Sequence, residues 1–192
     1  MAIDKITTAS ITTDAVGPTQ LNEASNYAFT GTVTGVGATF SPRFSATLSS
    51  NQSIANTTDT KIAFNSENFD VGGCFNNTSG TVTLNGISTP SYSFAPNVAG
   101  LYFLGCKLFM ATGTSSAYTI MYAYKNGNSR IIENQFYQDI GGARGHFVST
   151  LVSMNGSSDS LNMATWHNAG SAKNAYGTLP NTHFFGYLLK AD

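Results

Sequence analysis

The chain has 192 residues, enough for one domain with its own core, and only 10% of them are charged, against roughly 25% in an average soluble domain. Its polar surface must come instead from 24 Thr, 21 Ser, 18 Asn and 19 Gly, a composition that favours strands and turns and excludes an all-helical fold. Nine basic and ten acidic side chains give a net charge of −1, which excludes the strong charge-driven attraction of a nucleic-acid-binding protein.

The first segment, residues 1–42, has few large side chains and is predicted to be an attachment arm. Its apolar residues recur every five positions: Ile6, Ile11, Val16 and Leu21. That spacing fits neither a helix nor a half-buried strand, and so little apolar area cannot offset the entropy of ordering the segment. We therefore expect the arm to become ordered only against another chain or surface, with a floppy tail as the alternative.

Within the arm, residues 18–24 can form one helical turn, and a short alternating strand includes Tyr27, Phe29 and Val33. The first ten residues carry Asp4 and Lys5 and lack the apolar core of a secretory signal. No part of the sequence approaches the roughly 18 consecutive apolar residues of a membrane-spanning helix. We expect neither secretion nor membrane insertion.

From residue 43 to residue 192 the sequence predicts closely spaced strands. About ten short runs of alternating or apolar residues are separated by turn residues: 44–48, 61–64, 81–84, 91–94, 101–110, 118–124, 129–133, 147–154, 160–167 and 183–190. Asn126-Gly127 is the strongest short hairpin signal, and residues 141–145 are predicted to be a flexible loop. About ten strands without an intervening helix predict an all-β sandwich or jelly roll.

Six short motifs follow one another in the same region: Phe44-Ser45-Ala46, Ile62-Ala63-Phe64-Asn65, Gly72-Gly73-Cys74-Phe75-Asn76, Tyr92-Ser93-Phe94-Ala95-Pro96, Ala99-Gly100-Leu101-Tyr102-Phe103 and Phe184-Phe185-Gly186-Tyr187-Leu188-Leu189. This series resembles the globular domain of complement C1q and its tumour-necrosis-factor-like relatives. The resemblance implies a ten-stranded antiparallel jelly roll that assembles as a tight homotrimer. It implies little about function, because one fold hosts many tasks.

The aromatic content is consistent with packing between subunits. Aromatic residues make up 12% of the chain, more than a core of this size holds without overfilling. Six of them alternate along strands and are predicted to form the trimer interface: Tyr102, Phe109, Tyr122, Tyr124, Phe185 and Tyr187. The alternative is that these rings fill the core of one subunit or cover an open face.

The sequence shows no constellation typical of an enzyme. Its three histidines are far apart, no Gly-x-Ser-x-Gly elbow accompanies them, and neither the cysteines nor the carboxylates have metal-ligand spacing. We predict no catalysis, no cofactor and no metal; a sugar-cleaving carboxylate pair and a calcium site at Glu67 and Asp70 are the alternatives. Cys74 and Cys106 are predicted to be buried thiols, with one disulfide as the alternative.

Two departures from the family direct the functional prediction. No collagen-like Gly-X-Y stem and no leader precedes the domain, so an animal secreted protein is disfavoured. The arm followed by a trimeric jelly roll resembles a bacteriophage virion protein, placed on the particle surface and bound to the major capsid protein or another virion component. We prefer head decoration over a short tail fibre or receptor-binding tip. In either placement the arm carries the attachment residues, which are predicted to be Ile6, Ile11, Val16, Leu21, Tyr27, Phe29 and Val33.

A receptor-binding tip would recognise a host-surface glycan through loops at one end of the sandwich. Aromatic rings would stack on sugar rings while amide groups hold the hydroxyls. The candidates lie on or beside predicted loops: Asn126, Asn128, Arg130, Arg144, His146, Trp166, His167, Lys173 and Tyr176. The alternative is a set of ordinary solvated turns with Trp166 in the core.

Overall fold

The computed structural model describes residues 41–111, 117–138, 142–177 and 182–192. These residues form β-strands and turns, and none of them lies in a helix that could cross a membrane. The predicted arm and its attachment residues, from Ile6 to Val33, lie outside the described residues.

Fifteen strands occur within the described residues. In chain order they are β1 (Arg43–Thr47), β2 (Gln52–Ile54), β3 (Thr60–Lys61), β4 (Ser66–Val71), β5 (Phe75–Asn76), β6 (Val82–Leu84), β7 (Ile87–Thr89), β8 (Ser93–Phe94), β9 (Ala99–Ala111), β10 (Ala117–Lys125), β11 (Ser129–Gln138), β12 (Ala143–Asn155), β13 (Leu161–His167), β14 (Lys173–Ala175) and β15 (His183–Ala191).

The strands form two antiparallel sheets and one small hairpin. The first sheet has seven strands: six follow the order β2-β14-β9-β15-β1-β4, and the seventh, β12, also pairs with β9 along its whole length. The second sheet has six strands in the order β11-β10-β13-β8-β5, with β3 also paired to β13. Strands β6 and β7 form the hairpin. This arrangement confirms the predicted all-β sandwich.

The core lies between the two sheets and is built from alternate residues. Even-numbered side chains of β9, from Tyr102 to Met110, are buried, because successive residues of a strand point to opposite faces. At the centre, the ring of Phe44 stacks on Phe94 with centroids 4.5 Å apart. A Cβ at Gly186 would lie 3.0 Å from the Phe44 ring, so the missing side chain lets the last strand pass close to this ring.

The sequence locates the long strands better than the short ones. Each predicted run overlaps a strand, and Asn126 and Gly127 both have positive φ, 56° and 76°, as the predicted hairpin turn requires. Five strands of two to six residues are not predicted: β2, β4, β5, β7 and β14. The predicted flexible loop at 141–145 is wrong from Ala143 onward, because β12 begins there and Ala143 pairs with Ala111 of β9.

Candidate functional site

The outward side of the first sheet carries an unusual amount of apolar surface. Seven large apolar side chains of the described residues are widely exposed, and six of them belong to strands of this sheet: Phe69, Leu101, Phe147, Leu151, Tyr187 and Leu189. The seventh, Tyr137, lies on β11 of the second sheet. Exposed apolar groups are therefore concentrated on one side of the sandwich.

Four of these side chains lie at paired positions of the three adjacent strands β12, β9 and β15, where two partly exposed rings, Phe103 and Phe185, lie beside them. We call this layer the apolar face and define it by six residues: Leu101, Phe103, Phe147, Leu151, Phe185 and Tyr187. Leu151 of β12 pairs with Phe103 of β9, which pairs in turn with Tyr187 of β15. The Phe103 and Tyr187 ring centroids are 5.4 Å apart. The ring of Phe185 covers Gly105, where a Cβ would come within 2.4 Å of it. The apolar face is thus continuous across three strands.

Three of the six predicted interface residues lie on this side of the first sheet. Phe185 and Tyr187 belong to the apolar face itself. Phe109 faces the same way from the end of β9 and packs against Tyr176 with centroids 5.7 Å apart. The structure therefore brings these three rings to one surface, and their contact with another subunit remains a prediction.

The other three interface residues lie elsewhere. Tyr102 is fully buried in the core and its hydroxyl donates to the carbonyl oxygen of Val98 at 2.8 Å. Tyr122 is also fully buried within one chain, so the predictions for these two rings are wrong. Tyr124 lies on β10 of the second sheet and cannot share a face with Phe185.

The outward side of the second sheet carries a cleft of about 550 Å³, which we call the aromatic cleft. Its walls come from the loop after β2 and from three neighbouring strands: Thr57, Thr58, Asp59, Tyr118, Ile120, Arg130 and Trp166. Strand register brings them together, because Ile120 pairs with Trp166 and the indole lies 5.2 Å from the Tyr118 ring. Volumes of about 300–1,000 Å³ are typical of small-molecule sites.

The loop over the cleft is held in a strained conformation. Thr57 has φ 54°, in the left-handed region that a β-branched residue rarely adopts. The Thr57 N–H donates to the carbonyl oxygen of His167 at 2.7 Å, and the Gly170 N–H donates to Asn56 Oδ1 at 2.9 Å. These bonds hold the loop over the end of β13, so that Thr57 and its neighbours form one wall of the aromatic cleft.

A charged and hydroxylated cluster forms one end of the cleft. Arg130 Nη2 donates to Asp59 Oδ2 at 3.4 Å, and Arg130 Nη1 donates to Glu133 Oε2 at 3.2 Å. The guanidinium lies 4.1 Å above the Tyr122 ring, whose hydroxyl donates to Asp59. Burial, followed by that bond to Asp59, raises the pKa of Tyr122. Tyr124 also donates to Asp59, at 3.2 Å.

Two of the predicted ligand residues line the aromatic cleft, namely Arg130 and Trp166. Trp166 is partly exposed on the outward side of β13, so the alternative that placed it in the core is wrong. Asn126 instead holds the hairpin turn: its Nδ2 donates to Asp159 Oδ1 and its Oδ1 accepts from the Ser160 N–H, both at 2.9 Å. That amide is already occupied within the chain.

The remaining ligand candidates do not reach the cleft. His146 is buried on β12 rather than in a loop, 4.1 Å from the Phe136 ring, and burial followed by the nearby Arg144 charge lowers its pKa to about 4. His167 is buried, with Nε2 3.1 Å from the carbonyl oxygen of Ile54. Four other candidates also lie outside the cleft: Asn128, Arg144, Lys173 and Tyr176.

The two carboxylates of the calcium alternative and the two cysteines all lie within the described residues. No group of three or more His, Cys, Asp or Glu side chains there is arranged to hold a metal ion. The carboxylate of Asp70 accepts from the backbone N–H groups of Cys74 at 3.1 Å and Phe75 at 2.9 Å. Cys74 and Cys106 are free and buried, which confirms the predicted thiols, and burial raises the pKa of both.

Comparison with known proteins identifies the fold. No family model and no curated protein matches the chain. The globular domain of zebrafish complement 1qA matches with a TM-score of 0.55 and 12% identity, over 79% of this chain and 99% of that one. The fold is a C1q/TNF-like jelly roll.

Two further solved structures agree. Murine APRIL at pH 5.0 matches with a TM-score of 0.55 and 9% identity, over 78% of this chain and 99% of that one. Eiger TNF from S. frugiperda matches with a TM-score of 0.52 and 6% identity, over 80% and 94%. On this jelly roll the apolar face and the aromatic cleft belong to different sheets and face away from each other.

Proposed function

We propose that the chain is a non-enzymatic structural protein of a bacteriophage particle, a homotrimer that is anchored by its N-terminal arm and displays the jelly roll on the particle surface. The observation that supports assembly is the concentration of exposed apolar side chains on the first sheet. The three-fold arrangement comes from the resemblance to C1q and TNF-like domains.

The exposed area on this sheet is large enough to favour association. Its six widely exposed apolar residues are between 37% and 56% exposed. At about 200 Å² for a whole ring side chain, the three aromatic members, Phe69, Phe147 and Tyr187, leave about 280 Å² in water, and the three leucines add to it. An exposed apolar area of a few hundred Å² on one side of a domain is typical of an interaction surface, and a standard interface takes about 800 Å² from each partner.

Sedimentation equilibrium tests the assembly. We expect a mass three times the 20.3 kDa of one chain over a wide range of concentration. A species that stays at the mass of one chain at every concentration would remove the trimer from the proposal.

Within the particle we propose head decoration, in which residues 1–42 carry attachment. Deleting them is expected to abolish binding to purified particles while the jelly-roll trimer still forms. Imaging of particles with labelled protein distinguishes the two placements: many copies spread over the head support decoration, whereas copies gathered at one vertex support a fibre or tip.

The aromatic cleft favours a second candidate, a receptor-binding tip. The cleft lies on the sheet opposite the apolar face, so it stays open when that face is covered. Soluble protein would then compete with phage for host cells, and competition would be lost on changing Trp166. Unaltered adsorption in the presence of excess soluble trimer would exclude this candidate.

A further inference from the structure

We propose that the aromatic cleft binds an uncharged saccharide, with one pyranose ring stacked on Trp166 and its neighbouring hydroxyls held by Arg130 and Asp59. This inference deepens the second candidate function, recognition of a host surface. Sugar binding is measured on the purified protein, so its outcome is separate from that of the host-adsorption assay.

The apolar wall of the cleft matches the apolar face of a sugar ring. Trp166 and Tyr118 lie side by side with centroids 5.2 Å apart, and Tyr118 in turn lies 5.9 Å from Tyr137. These three rings lie on three adjacent strands, on the outward side of the second sheet and away from the core between the sheets. Such a wall buries ring C–H groups of a ligand while leaving its hydroxyls at the edge.

The polar end of the cleft has hydrogen-bonding capacity that the protein does not use. Of the five N–H donors of a guanidinium, Arg130 places one on Tyr124, one on Asp59 and one on Glu133, which leaves two. The side chains of Arg130 and Asp59 are 41% and 48% exposed, so a ligand can reach both. Paired donors and acceptors of this kind fit neighbouring hydroxyl groups, each of which both donates and accepts.

The charges around the cleft balance, which selects against an ionised ligand. Asp59 and Glu133 oppose Arg130, and Lys61 lines a second depression of about 190 Å³ that also borders Asp59. Two carboxylates and two cations leave no net field for a carboxylate or phosphate to follow. Because Asp59 borders both depressions, the site extends beyond one ring and suits an oligosaccharide.

The exposed ion pairs add little to folding, since such pairs contribute less than about 1 kcal/mol. The loop that completes the wall holds Thr57 in a strained conformation at φ 54°. Strained backbone is enriched at sites that bind a ligand. The polar cluster and the loop are thus both explained by recognition.

Trp166 is the only tryptophan of the chain, so its fluorescence reports on this cleft directly. We would titrate the full-length protein with the methyl glycosides of glucose, galactose, mannose and N-acetylglucosamine, with maltose and cellobiose, and with N-acetylneuraminic acid. At least one neutral sugar is expected to shift the emission with saturation at millimolar concentration, and disaccharides are expected to bind more tightly than single rings. The anionic sugar is expected to have no effect.

Matched variants locate the binding. Arg130→Gln is expected to weaken binding at least about tenfold, the loss typical of a charged hydrogen bond. Arg144→Gln, an exposed arginine outside the cleft, is expected to leave it unchanged. Trp166→Ala should abolish sugar binding; because this variant lacks the fluorescent indole, its binding is measured by amide chemical shifts. Thermal unfolding checks that each variant is folded, and bound sugar should raise the melting temperature of the native protein.

Three results would overturn the proposal: no member of the panel shifts the fluorescence, binding is unchanged in Arg130→Gln, or the anionic sugar binds better than the neutral ones. The trimer is measured separately by sedimentation, so failure of the saccharide site leaves the proposed assembly standing. A monomeric protein that still binds sugar would remove the proposed trimer and leave the saccharide site standing.

Discussion

Replacement of one ring on the apolar face tests the assembly directly. Phe147 is 49% exposed on β12, at the edge of the first sheet. With about 200 Å² for the whole side chain, about 100 Å² becomes buried on association, which contributes about 2.5 kcal/mol per subunit at roughly 25 cal/mol per Å². Three symmetric copies give about 7.5 kcal/mol, so Phe147→Thr should weaken trimer formation by about five to six powers of ten.

Sedimentation equilibrium from low to high micromolar protein measures this effect. We expect monomers of Phe147→Thr at concentrations where the native chain is trimeric, with unchanged circular dichroism. Tyr137→Thr is the matched control, because Tyr137 is 73% exposed but lies on the second sheet. If Phe147→Thr remains trimeric throughout, or if Tyr137→Thr dissociates equally, the apolar face is not the interface.

Three further outcomes follow from local features. Burial and the nearby Arg144 charge lower the pKa of His146 to about 4, so the folded chain binds this proton only at a lower pH than the unfolded chain does. Its contribution to stability is fully present above about pH 6.5 and falls by about 3 kcal/mol as the pH drops to about 4. Urea unfolding at a series of pH values should show this loss of stability, and His146→Phe should reduce it. An identical loss in the variant would show that His146 is not its source. Thr57→Gly removes a strained φ and should raise the melting temperature by about 2–4 °C in a thermal scan, whereas a lower one would contradict the strain. Gly105→Ala displaces the Phe185 ring and should therefore weaken the trimer in sedimentation. The free energy of unfolding of dilute protein, measured in urea, should change by only about 1 kcal/mol. Unaltered assembly would show that this ring is not at the interface.

The fold is largely readable from the sequence because its long strands alternate strongly. In β9 the pattern of large and small side chains over thirteen residues leaves little doubt about a strand, and its even positions form the core. Short strands such as β4 carry no such signal, since Ser66–Val71 includes Glu67, Asn68 and Asp70. Pairing with β1 makes it a strand, and that pairing depends on residues distant in sequence.

The choice of surface residues is harder to read. Tyr102 and Phe109 are seven positions apart on one continuous strand, so they point to opposite sides and cannot both be at an interface. Parity alone therefore excludes one of them. It does not say that Tyr122 and Tyr124 belong to the other sheet, because sheet membership depends on topology.

The aromatic cleft shows the same limit more clearly. Arg130 and Trp166 are recognisable as unusual polar and aromatic residues beside turns. Thr57 and Asp59 are not, because the loop after β2 reaches the cleft only through its bond to the end of β13. Tyr118 is not either, because only the pairing of β10 with β13 brings it beside Trp166. A site assembled from four separate segments has no local sequence signature.

The separation of the two surfaces has a consequence for binding strength. Association through the first sheet leaves the aromatic cleft of each subunit open on the second sheet, so a trimer presents three equivalent weak sites. Linked sites gain apparent affinity by about 10²–10⁴ on a surface that offers repeated ligands. Phe147→Thr should therefore keep the millimolar affinity for a free disaccharide, read from Trp166, and lose retention on a column that carries the same disaccharide densely. Loss of both, in a protein that is still folded, would show that the cleft depends on the neighbouring subunit.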